Sequence, residues 1–314
     1  APAIALAAIK ASSFLKDSIL LILSADHKIL DKKRFIEVIN SGYKYAKNKR
    51  LVTFGVIPTY PETGYGYIES EKCFEKGKIE GLQITRFLEK PSLSKAKELY
   101  INKKFTWNSG IFMFKTSVII DELNKYQPEV LKFCTESITK STIDLDFVRI
   151  NKLAFEKSPN VSIDVAVMEK TKIGTVLPLD AKWSDIGSWK ALWDIKKKDT
   201  AGNVIEGKVI NKGSKNCYLN SKNKLLVTLG LNDLIIVDTT DAILVAKKEN
   251  LSGIKAIVNE LENKGYKEGS QHRKVFRPWG NYTSLIEDKS WQVKKIEVKP
   301  NQSLSLQMHL HRAE

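Results

Sequence analysis

Two short, uninterrupted apolar segments constrain the fold of this chain more than any other feature. Residues 18–24 (SILLILS) and 51–57 (LVTFGVI) have the length of strands and lack the polar–apolar alternation of a strand with one solvated face. Residues 35–46, which lie between them, have helical periodicity. A strand, a helix and a strand in this order predict a βαβ unit, and therefore an α/β fold with a parallel sheet covered on both faces.

The same mixture of strands and helices continues to about residue 193. Further strands are predicted at residues 84–88, 110–114 and 172–178. Further helices are predicted at residues 1–15, 94–101, 116–125 and 165–170.

The pattern changes after residue 198. Residues 203–248 form short β-rich segments separated by Gly, Asn, Ser and Lys turns, which predicts a separate all-β module ending in a helix at residues 251–264. A polar linker follows at residues 263–274, and a third pattern then begins (VFRPWGNY). We therefore predict three domains, at residues 1–198, 199–262 and 263–314.

Composition excludes several classes of protein. Hydrophobic residues are 42% and charged residues 28%, close to the globular average, and no apolar run is long enough to cross a membrane. The three cysteines are widely spaced, which excludes a disulfide framework and predicts a cytoplasmic protein. The net charge is +15, but the lysines are scattered without aromatic interleaving, so nucleic-acid binding is not predicted. A positive field would still attract phosphorylated substrates.

Two acidic residues occupy loops where α/β sheets bind their ligands. Asp26 directly follows the apolar run at residues 18–24, and Asp185 (AKWSDIGSW) follows the strand predicted to end near Pro178. Two carboxylates from separate loops suit Mg²⁺ and phosphoryl chemistry. Asp26 could equally cap the next helix, and the tryptophans around Asp185 could simply be core aromatics.

Two polar segments between these acids have the chemistry of a sugar site. In PETGYGY, Gly64 allows close backbone approach and Tyr65 offers an aromatic wall, although a hairpin turn explains the segment as well. In FLEKP, Glu89 could bind sugar hydroxyls and Lys90 a phosphate, unless the two form a solvated surface pair.

A third polar segment, TWNSG, precedes the predicted strand at residues 110–114. Asn108 offers an amide for recognising a hydroxyl group, and Gly110 permits a tight backbone path. Ordinary turn chemistry explains this segment nearly as well.

In chain order, the strings SADH, FGVIPTYPETGYGYIE, FLEKP, FTWNSGIFMF, SIDVAVMEK and WSDIGSW resemble the sugar-1-phosphate nucleotidyltransferases. Among these the resemblance is greatest to the bacterial mannose-1-phosphate guanylyltransferases. The C-terminal RPWGNY and SLSLQMHLHRAE resemble the start of the phosphomannose isomerase cupin of the bifunctional members. The resemblance implies a Rossmann-like nucleotidyltransferase domain, then a left-handed β-helix-like segment, then a cupin.

The resemblance also implies residue roles. Asp26 and Asp185 match the acids that bind Mg²⁺, and Lys90 matches the lysine that meets the sugar phosphate. The positions that match the hexose site are Gly64, Tyr65, Glu89, Asn108, Gly110 and Asp164. The implied reaction is in-line attack by the mannose 1-phosphate oxygen on the GTP α-phosphorus, which forms GDP-mannose and releases pyrophosphate. Alternatives are another sugar or base, or isomerisation only, and a homodimer is left open.

Two departures from the family pattern matter. The family begins with a glycine-rich GGxGxRLxPLS loop that cradles the nucleotide phosphates, and a PKxF lysine follows; neither string occurs in this sequence. We therefore expect the 314 residues to be part of a longer polypeptide and to be inactive alone. In addition, Ser24 stands where the family usually has Pro.

At the other end of the sequence, Gln307 and His309 match two metal ligands of the cupin, and His311 and Arg312 continue its motif. Taken alone, these residues could be ordinary strand positions. The resemblance implies Zn²⁺ only in the full-length isomerase domain, because the other ligands would lie at or beyond Glu314.

Overall fold

A computed structural model of the chain describes residues 1–15, 17–75, 77–144, 147–288 and 291–304. The chain divides into two compact units, Ala1–Asp185 and Ile186–Glu314. The domain limits set above at residues 198 and 262 stay predictions.

The first unit combines strands and helices in alternation. Its strands are β1 (Ile19–Ile22), β2 (Lys28–Ile29), β3 (Leu51–Val56), β4 (Tyr67–Ser70), β5 (Leu82–Leu88), β6 (Phe105–Lys115), β7 (Thr142–Asp144), β8 (Phe147–Arg149), β9 (Gly174–Pro178) and β10 (Trp183–Ser184). Its helices are α1 (Pro2–Phe14), α2 (Lys32–Lys47), α3 (Leu93–Ile101), α4 (Thr116–Tyr126), α5 (Pro128–Thr139) and α6 (Lys152–Phe155). The predicted helix at residues 165–170 is instead a π-helical turn, Asp164–Met168.

Six strands form the central sheet in the order β1-β6-β3-β9-β5-β4, and an additional pairing joins β4 to β6. The prediction of a parallel sheet is wrong for β6. Strands β3 and β9 pair in parallel, but β6 is antiparallel to both β1 and β3. Strands β1 and β3 run in the same direction, as a βαβ unit requires, yet β6 lies between them. The intervening strand comes from much later in the chain, so local periodicity could not reveal it.

Helices cover both faces of this sheet. Alternate residues along a strand point to opposite faces, so neighbouring residues of one strand pack against different helices. Leu51 and Phe112 belong to the core formed with α1, α4 and α5, whereas the neighbouring Val52 and Met113 belong to the core formed with α2. The α/β architecture expected from the sequence is thus confirmed. The strand β1 is less buried than predicted, with Leu21 36% exposed, because among the described strands β6 alone pairs with it.

Local capping residues explain where the helices begin. The Asp31 carboxylate accepts a hydrogen bond from the Arg34 amide at 3.0 Å at the start of α2. Ser92 accepts from the Lys95 amide at 3.4 Å at the start of α3. Each side chain satisfies an amide that has no partner within its helix.

The long strand β6 contains a bulge at the TWNSG segment. Thr53 pairs with Phe112 and Gly55 pairs with Asn108, so the path along β6 is longer than the path along β3. Gly110 has a φ of +68°, a conformation that favours glycine. The interpretation of this segment as a turn before a strand is therefore wrong: it is a bulge within one strand.

The second unit begins with α7 (Trp189–Ile195) and continues with β11 (Val204–Lys212), β12 (Tyr218–Leu229), β13 (Leu234–Asp238) and β14 (Ile243–Lys247). Strands β11, β12 and β13 pair in parallel, and Val204, Tyr218 and Ile235 are aligned across them. Such stacking of equivalent positions is the β-helix-like arrangement that the resemblance implied. The antiparallel strand β14 follows at the end of the stack.

The predicted helix at residues 251–264 is observed as α8 (Ile254–Asn263). After it, β15 (Lys274–Arg277), β16 (Gly280–Glu287) and β17 (Gln292–Val298) form an antiparallel sheet. This sheet lies where the resemblance implies the start of a cupin. In the described part of the chain, no helix has the length and apolar character needed to cross a membrane.

Candidate functional site

The predicted site residues of the first unit gather around one end of the central sheet. Strands β1, β3 and β9 run in the same direction, so their carboxyl ends lie at the same edge. Asp26 follows β1, the PETGYGY segment follows β3, and Asp185 comes after β9 and β10. Carboxyl ends of strands are where open α/β sheets bind ligands.

A two-stranded antiparallel ribbon of β2 and β10 brings the two acidic loops together. Trp183 pairs with Ile29, and Ser184 pairs with Lys28. Asp26 lies just before this ribbon and Asp185 just after it, so both carboxylates are at the same end. Asp26 is exposed and Asp185 is half-buried.

Tyr65 connects the PETGYGY segment to this pair of carboxylates. Its hydroxyl donates a hydrogen bond to Asp185 Oδ1 at 2.9 Å. Its ring packs edge-on against Trp107 and Trp183, with ring centroids 5.3 and 5.5 Å apart. Burial, followed by the charge of Asp185, raises the pKa of Tyr65, so the phenol stays protonated and continues to donate.

Asn108 connects the bulge of β6 to a buried acid. Its Oδ1 accepts a hydrogen bond from the Gly110 amide at 3.1 Å, and its Nδ2 donates to Asp164 Oδ1 at 3.0 Å. Its own backbone amide donates to the Gly66 carbonyl at 2.8 Å. These bonds define the orientation of the amide and leave Asp164 facing Asn108.

Asp164 and Glu89 form a second pair of acids, beside Asn108. Burial raises the pKa of Asp164, and the charge of Glu89 adds to that shift. Gly66 lies between Glu89 and Asn108: a β-carbon at this position would be 2.8 Å from Glu89 Oε2 and 3.5 Å from the Asn108 β-carbon. Only glycine leaves Glu89 where it is.

Two predicted contacts are more peripheral than expected. Lys90 is 65% exposed, pairs with Glu89 Oε1 at 3.2 Å and has a φ of +41°. Gly64 is exposed, and its amide donates to Glu62 Oε1 at 2.8 Å. The Gly64 amide is therefore already used within its own turn.

The two ends of the site offer complementary chemistry. Glu89, Asn108 and Asp164 present oxygen and nitrogen atoms that can hydrogen-bond sugar hydroxyls. Asp26 and Asp185 are hard oxygen donors on adjacent loops, and this donor set fits a Mg²⁺ ion that keeps water and phosphate oxygens as its other ligands. Groups of three or more His, Cys, Asp or Glu suited to a metal are absent from the described residues.

Sequence reasoning missed three residues of this region. Gly66 was not singled out, although the glycine spacing of PETGYGY pointed to close backbone approach. His27 and Trp183 were also missed: their rings meet edge-on with centroids 5.2 Å apart. The only sequence clue was their position beside Asp26 and Asp185.

The predicted metal ligands of the cupin, Gln307 and His309, lie outside the described residues, as do His311 and Arg312. Their role stays a prediction.

The class of protein follows from the α/β fold together with the family models that match it. The family model described as Nucleotidyl transferase matches residues 1–202, which is more than half of the chain. A model of the MannoseP isomerase/GMP-like beta-helix domain matches residues 207–261, and one of the Mannose-6-phosphate isomerase C-terminal region matches residues 264–314.

Curated relatives show which branch of the nucleotidyltransferases the chain resembles. A mannose-1-phosphate guanylyltransferase of Salmonella montevideo is 43% identical over 317 residues, covering 100% of this chain and 67% of the relative. Another, from Escherichia coli strain K12, is 41% identical, covering 100% of this chain and 66% of the relative. The chain thus spans about two thirds of their length. It belongs to the mannose-1-phosphate guanylyltransferase family of nucleotidyltransferases.

Solved structures agree with this assignment. A Thermus thermophilus protein described as a mannose-1-phosphate geranyltransferase has a TM-score of 0.72 and 26% identity, covering 83% of this chain and 74% of that one. A mannose-6-phosphate isomerase from Helicobacter pylori has a TM-score of 0.52 and 34% identity, covering 58% of this chain and 70% of that one.

Proposed function

We propose that this chain forms the sugar-binding and metal-binding part of an enzyme that makes GDP-mannose and pyrophosphate from GTP and mannose 1-phosphate, for cell-surface polysaccharide synthesis. The observation that supports this most is the connected network from Gly66 through Asn108 to Asp164, beside the Tyr65–Asp185 hydrogen bond. It sets a hydroxyl-binding pocket next to two carboxylates. The family relatives support the choice of mannose and of the guanylyl group.

The chain's own residues position the reactants for attack of a mannose 1-phosphate oxygen on the GTP α-phosphorus. Glu89, Asn108 and Asp164 bind sugar hydroxyls, and Lys90 offers a positive charge to the sugar phosphate. Asp26 and Asp185 would hold Mg²⁺, and the ion would supply charge neutralisation for the phosphate oxygens. The attack forms one oxygen–phosphorus bond and breaks the bond to the departing pyrophosphate. Positioning and charge neutralisation provide most of the catalysis in phosphoryl transfer.

Pyrophosphate release tests this function. We would join these 314 residues to a phosphate-loop segment of the family and compare GTP with UTP, and mannose 1-phosphate with glucose 1-phosphate. We expect turnover with GTP and mannose 1-phosphate to exceed the other combinations. Equal turnover with every pair would reject the proposed specificity, and no turnover with any pair would reject nucleotidyl transfer.

A second activity, isomerisation of mannose 6-phosphate in the full-length protein, is favoured by the isomerase model matched at residues 264–314 and by the antiparallel sheet of β15, β16 and β17. We would measure it in the full-length protein with and without added Zn²⁺. Conversion to fructose 6-phosphate that depends on Zn²⁺ is the expected result. Cytoplasmic localisation and assembly as a homodimer stay predictions.

A further inference from the structure

One contact joins the two loops that hold the predicted metal ligands. The Trp183 Nε1–H donates a hydrogen bond to His27 Nδ1 at 3.3 Å, near the upper limit for such a bond. The two rings meet edge-on, with an interplanar angle of 85°. His27 is next to Asp26, and Trp183 lies two residues before Asp185.

We propose that His27 and Trp183 are positioning residues that hold the carboxylates of Asp26 and Asp185 at a working separation. The inference rests on the proposed function of this site. The ribbon that joins the loops has two residue pairs, and two backbone hydrogen bonds continue it away from the acids, from the Leu30 amide to the Lys182 carbonyl at 3.4 Å and from the Asp31 amide to the Ala181 carbonyl at 3.1 Å. Short two-stranded ribbons have little stability of their own, and the side-chain bond of His27 and Trp183 adds to the pairing at the end next to Asp26 and Asp185.

Trp183 also acts on the second carboxylate through Tyr65. The Trp183 ring packs on the Tyr65 ring at 5.5 Å, and the Tyr65 hydroxyl donates to Asp185. One indole therefore contacts the neighbour of Asp26 on one side and the hydrogen-bond donor of Asp185 on the other.

The imidazole faces the bulge of β6. A β-carbon at Gly110 would lie 3.6 Å from His27 Cε1, so the ring lies about one methyl group away from the backbone of that bulge. Gly110 is also the residue whose amide orients Asn108. His27 thus lies between the metal end and the sugar end of the site.

The stereochemistry of the bond suggests matched variants. The role assigned to His27 needs an acceptor at Nδ1 only. In His27→Asn, Oδ1 replaces Nδ1 as an acceptor at the same reach from the backbone, whereas in His27→Gln the amide lies further out, near the position of Nε2. Trp183→Phe keeps an aromatic ring and removes the donor.

The test measures kcat, KM and Mn²⁺ affinity in the polypeptide that includes the phosphate-loop segment. We expect His27→Gln and Trp183→Phe each to lower kcat about tenfold and to weaken Mn²⁺ binding, since each loses one hydrogen bond. The KM for mannose 1-phosphate should change by less than about twofold, because neither variant removes a hydrogen bond of Asn108 or Asp164. His27→Asn should stay within about threefold of the unmodified protein.

The double variant His27→Gln/Trp183→Phe should be no worse than either single variant, because both remove the same bond. His272→Gln is the matched control, since that exposed histidine lies in the second unit and should not alter any of these values. Thermal unfolding of every variant tests whether its fold is retained.

Two outcomes would overturn the inference. Equal losses in His27→Asn and His27→Gln would show that the ring itself acts, and unchanged values in all variants would show that the bond has no role. Electron paramagnetic resonance of bound Mn²⁺ reports the geometry of the metal site and needs no turnover. If the unmodified protein fails to transfer a nucleotidyl group, the proposed function is rejected. The positioning role of His27 and Trp183 can still be measured in that case.

Discussion

At the scale of single residues, the site depends on side chains that serve two partners at once. Asn108 accepts from Gly110 and donates to Asp164, and both bonds are within 3.1 Å. Tyr65 packs on two tryptophans and donates to Asp185. Losing one such residue leaves two groups without that partner, so a single substitution here should disturb the site in two places.

The two acids next to the ribbon should be essential for turnover. Asp26→Asn and Asp185→Asn each remove a negative ligand from a hard cation, so each should lower kcat and kcat/KM together by orders of magnitude. The comparison is kinetic, at saturating Mg²⁺, with thermal unfolding to show an intact fold. Asp180→Asn is the matched control, because Asp180 is an exposed acid in the loop between β9 and β10. Near-normal turnover of either site variant would exclude its role in binding the metal.

Asp164 should decrease stability while serving function. Its pKa is raised above the ordinary value of 3.8, so the folded protein binds this proton more tightly than the unfolded chain does. Below pH 3.8 the acid is neutral in both states, and stability is lost as the pH rises through the raised folded pKa. Asp164→Asn removes that loss, and at neutral pH it should raise the free energy of unfolding by roughly 1 kcal/mol.

Denaturant unfolding of the unmodified protein and of Asp164→Asn, from acidic to neutral pH, measures this effect. The stability difference should vanish at low pH and grow with rising pH. The same variant should raise the KM for mannose 1-phosphate about tenfold, since a neutral amide accepts hydroxyl hydrogen bonds less strongly than a carboxylate. A variant less stable than the unmodified protein at neutral pH would contradict the assigned burial cost.

At the scale of elements, the bulge of β6 and the ribbon of β2 and β10 create the site from otherwise regular structure. The bulge lets the strand continue past Asn108 while Gly110 directs its amide at the Asn108 side chain. The ribbon converts two separate loops into neighbours. The bulge interrupts the central sheet, and the ribbon is a separate two-stranded sheet at the edge where open α/β sheets usually bind ligands.

Gly110→Ala tests the bulge. A β-carbon meets no atom closer than 3.6 Å there, so the cost comes from the φ of +68° rather than from a clash. We expect a loss of about 1–2 kcal/mol in the free energy of unfolding and a lower affinity for mannose 1-phosphate as Asn108 shifts. Gly253→Ala is the control, because its φ is −75° and its surroundings are open. Full stability and normal KM in Gly110→Ala would show that the bulge tolerates a side chain.

At the scale of the whole molecule, the chain joins three family segments: a nucleotidyl transferase region, a β-helix-like region and the start of an isomerase cupin. The boundary between the two compact units falls directly after Asp185, the second predicted metal ligand. In the second unit, α7 packs through Trp189 and Trp193 on the inner face of the β-helix-like stack.

The family's phosphate loop gives a test at this scale. The 314 residues contain no GxGxR string, so they lack the backbone amides that bind a triphosphate in the family. We expect the purified 314-residue chain to release no pyrophosphate from GTP and mannose 1-phosphate, and activity to appear when a phosphate-loop segment is joined to it. Turnover by the 314-residue chain alone would contradict this.

The sequence was sufficient for the α/β class, for the positions of most helices and strands, and for the motifs that identify the family. Apolar runs and helical periodicity are local properties, and so are caps such as Asp31, because each depends on residues a few positions apart. The same is true of the short strings around Asp26, Asn108 and Asp185. Their order along the chain was enough to name the family and a set of candidate residues.

Only the tertiary structure decided which strands are neighbours and how the candidates meet. Strand β6 enters between β1 and β3 from a distant part of the chain, and the TWNSG segment becomes a bulge because β3 lies beside it. The approach of Gly66 to Glu89 and the bond from Trp183 to His27 likewise join residues far apart in sequence. Such contacts depend on how distant segments pack together, and the periodicity of any one segment contains no information about its partner.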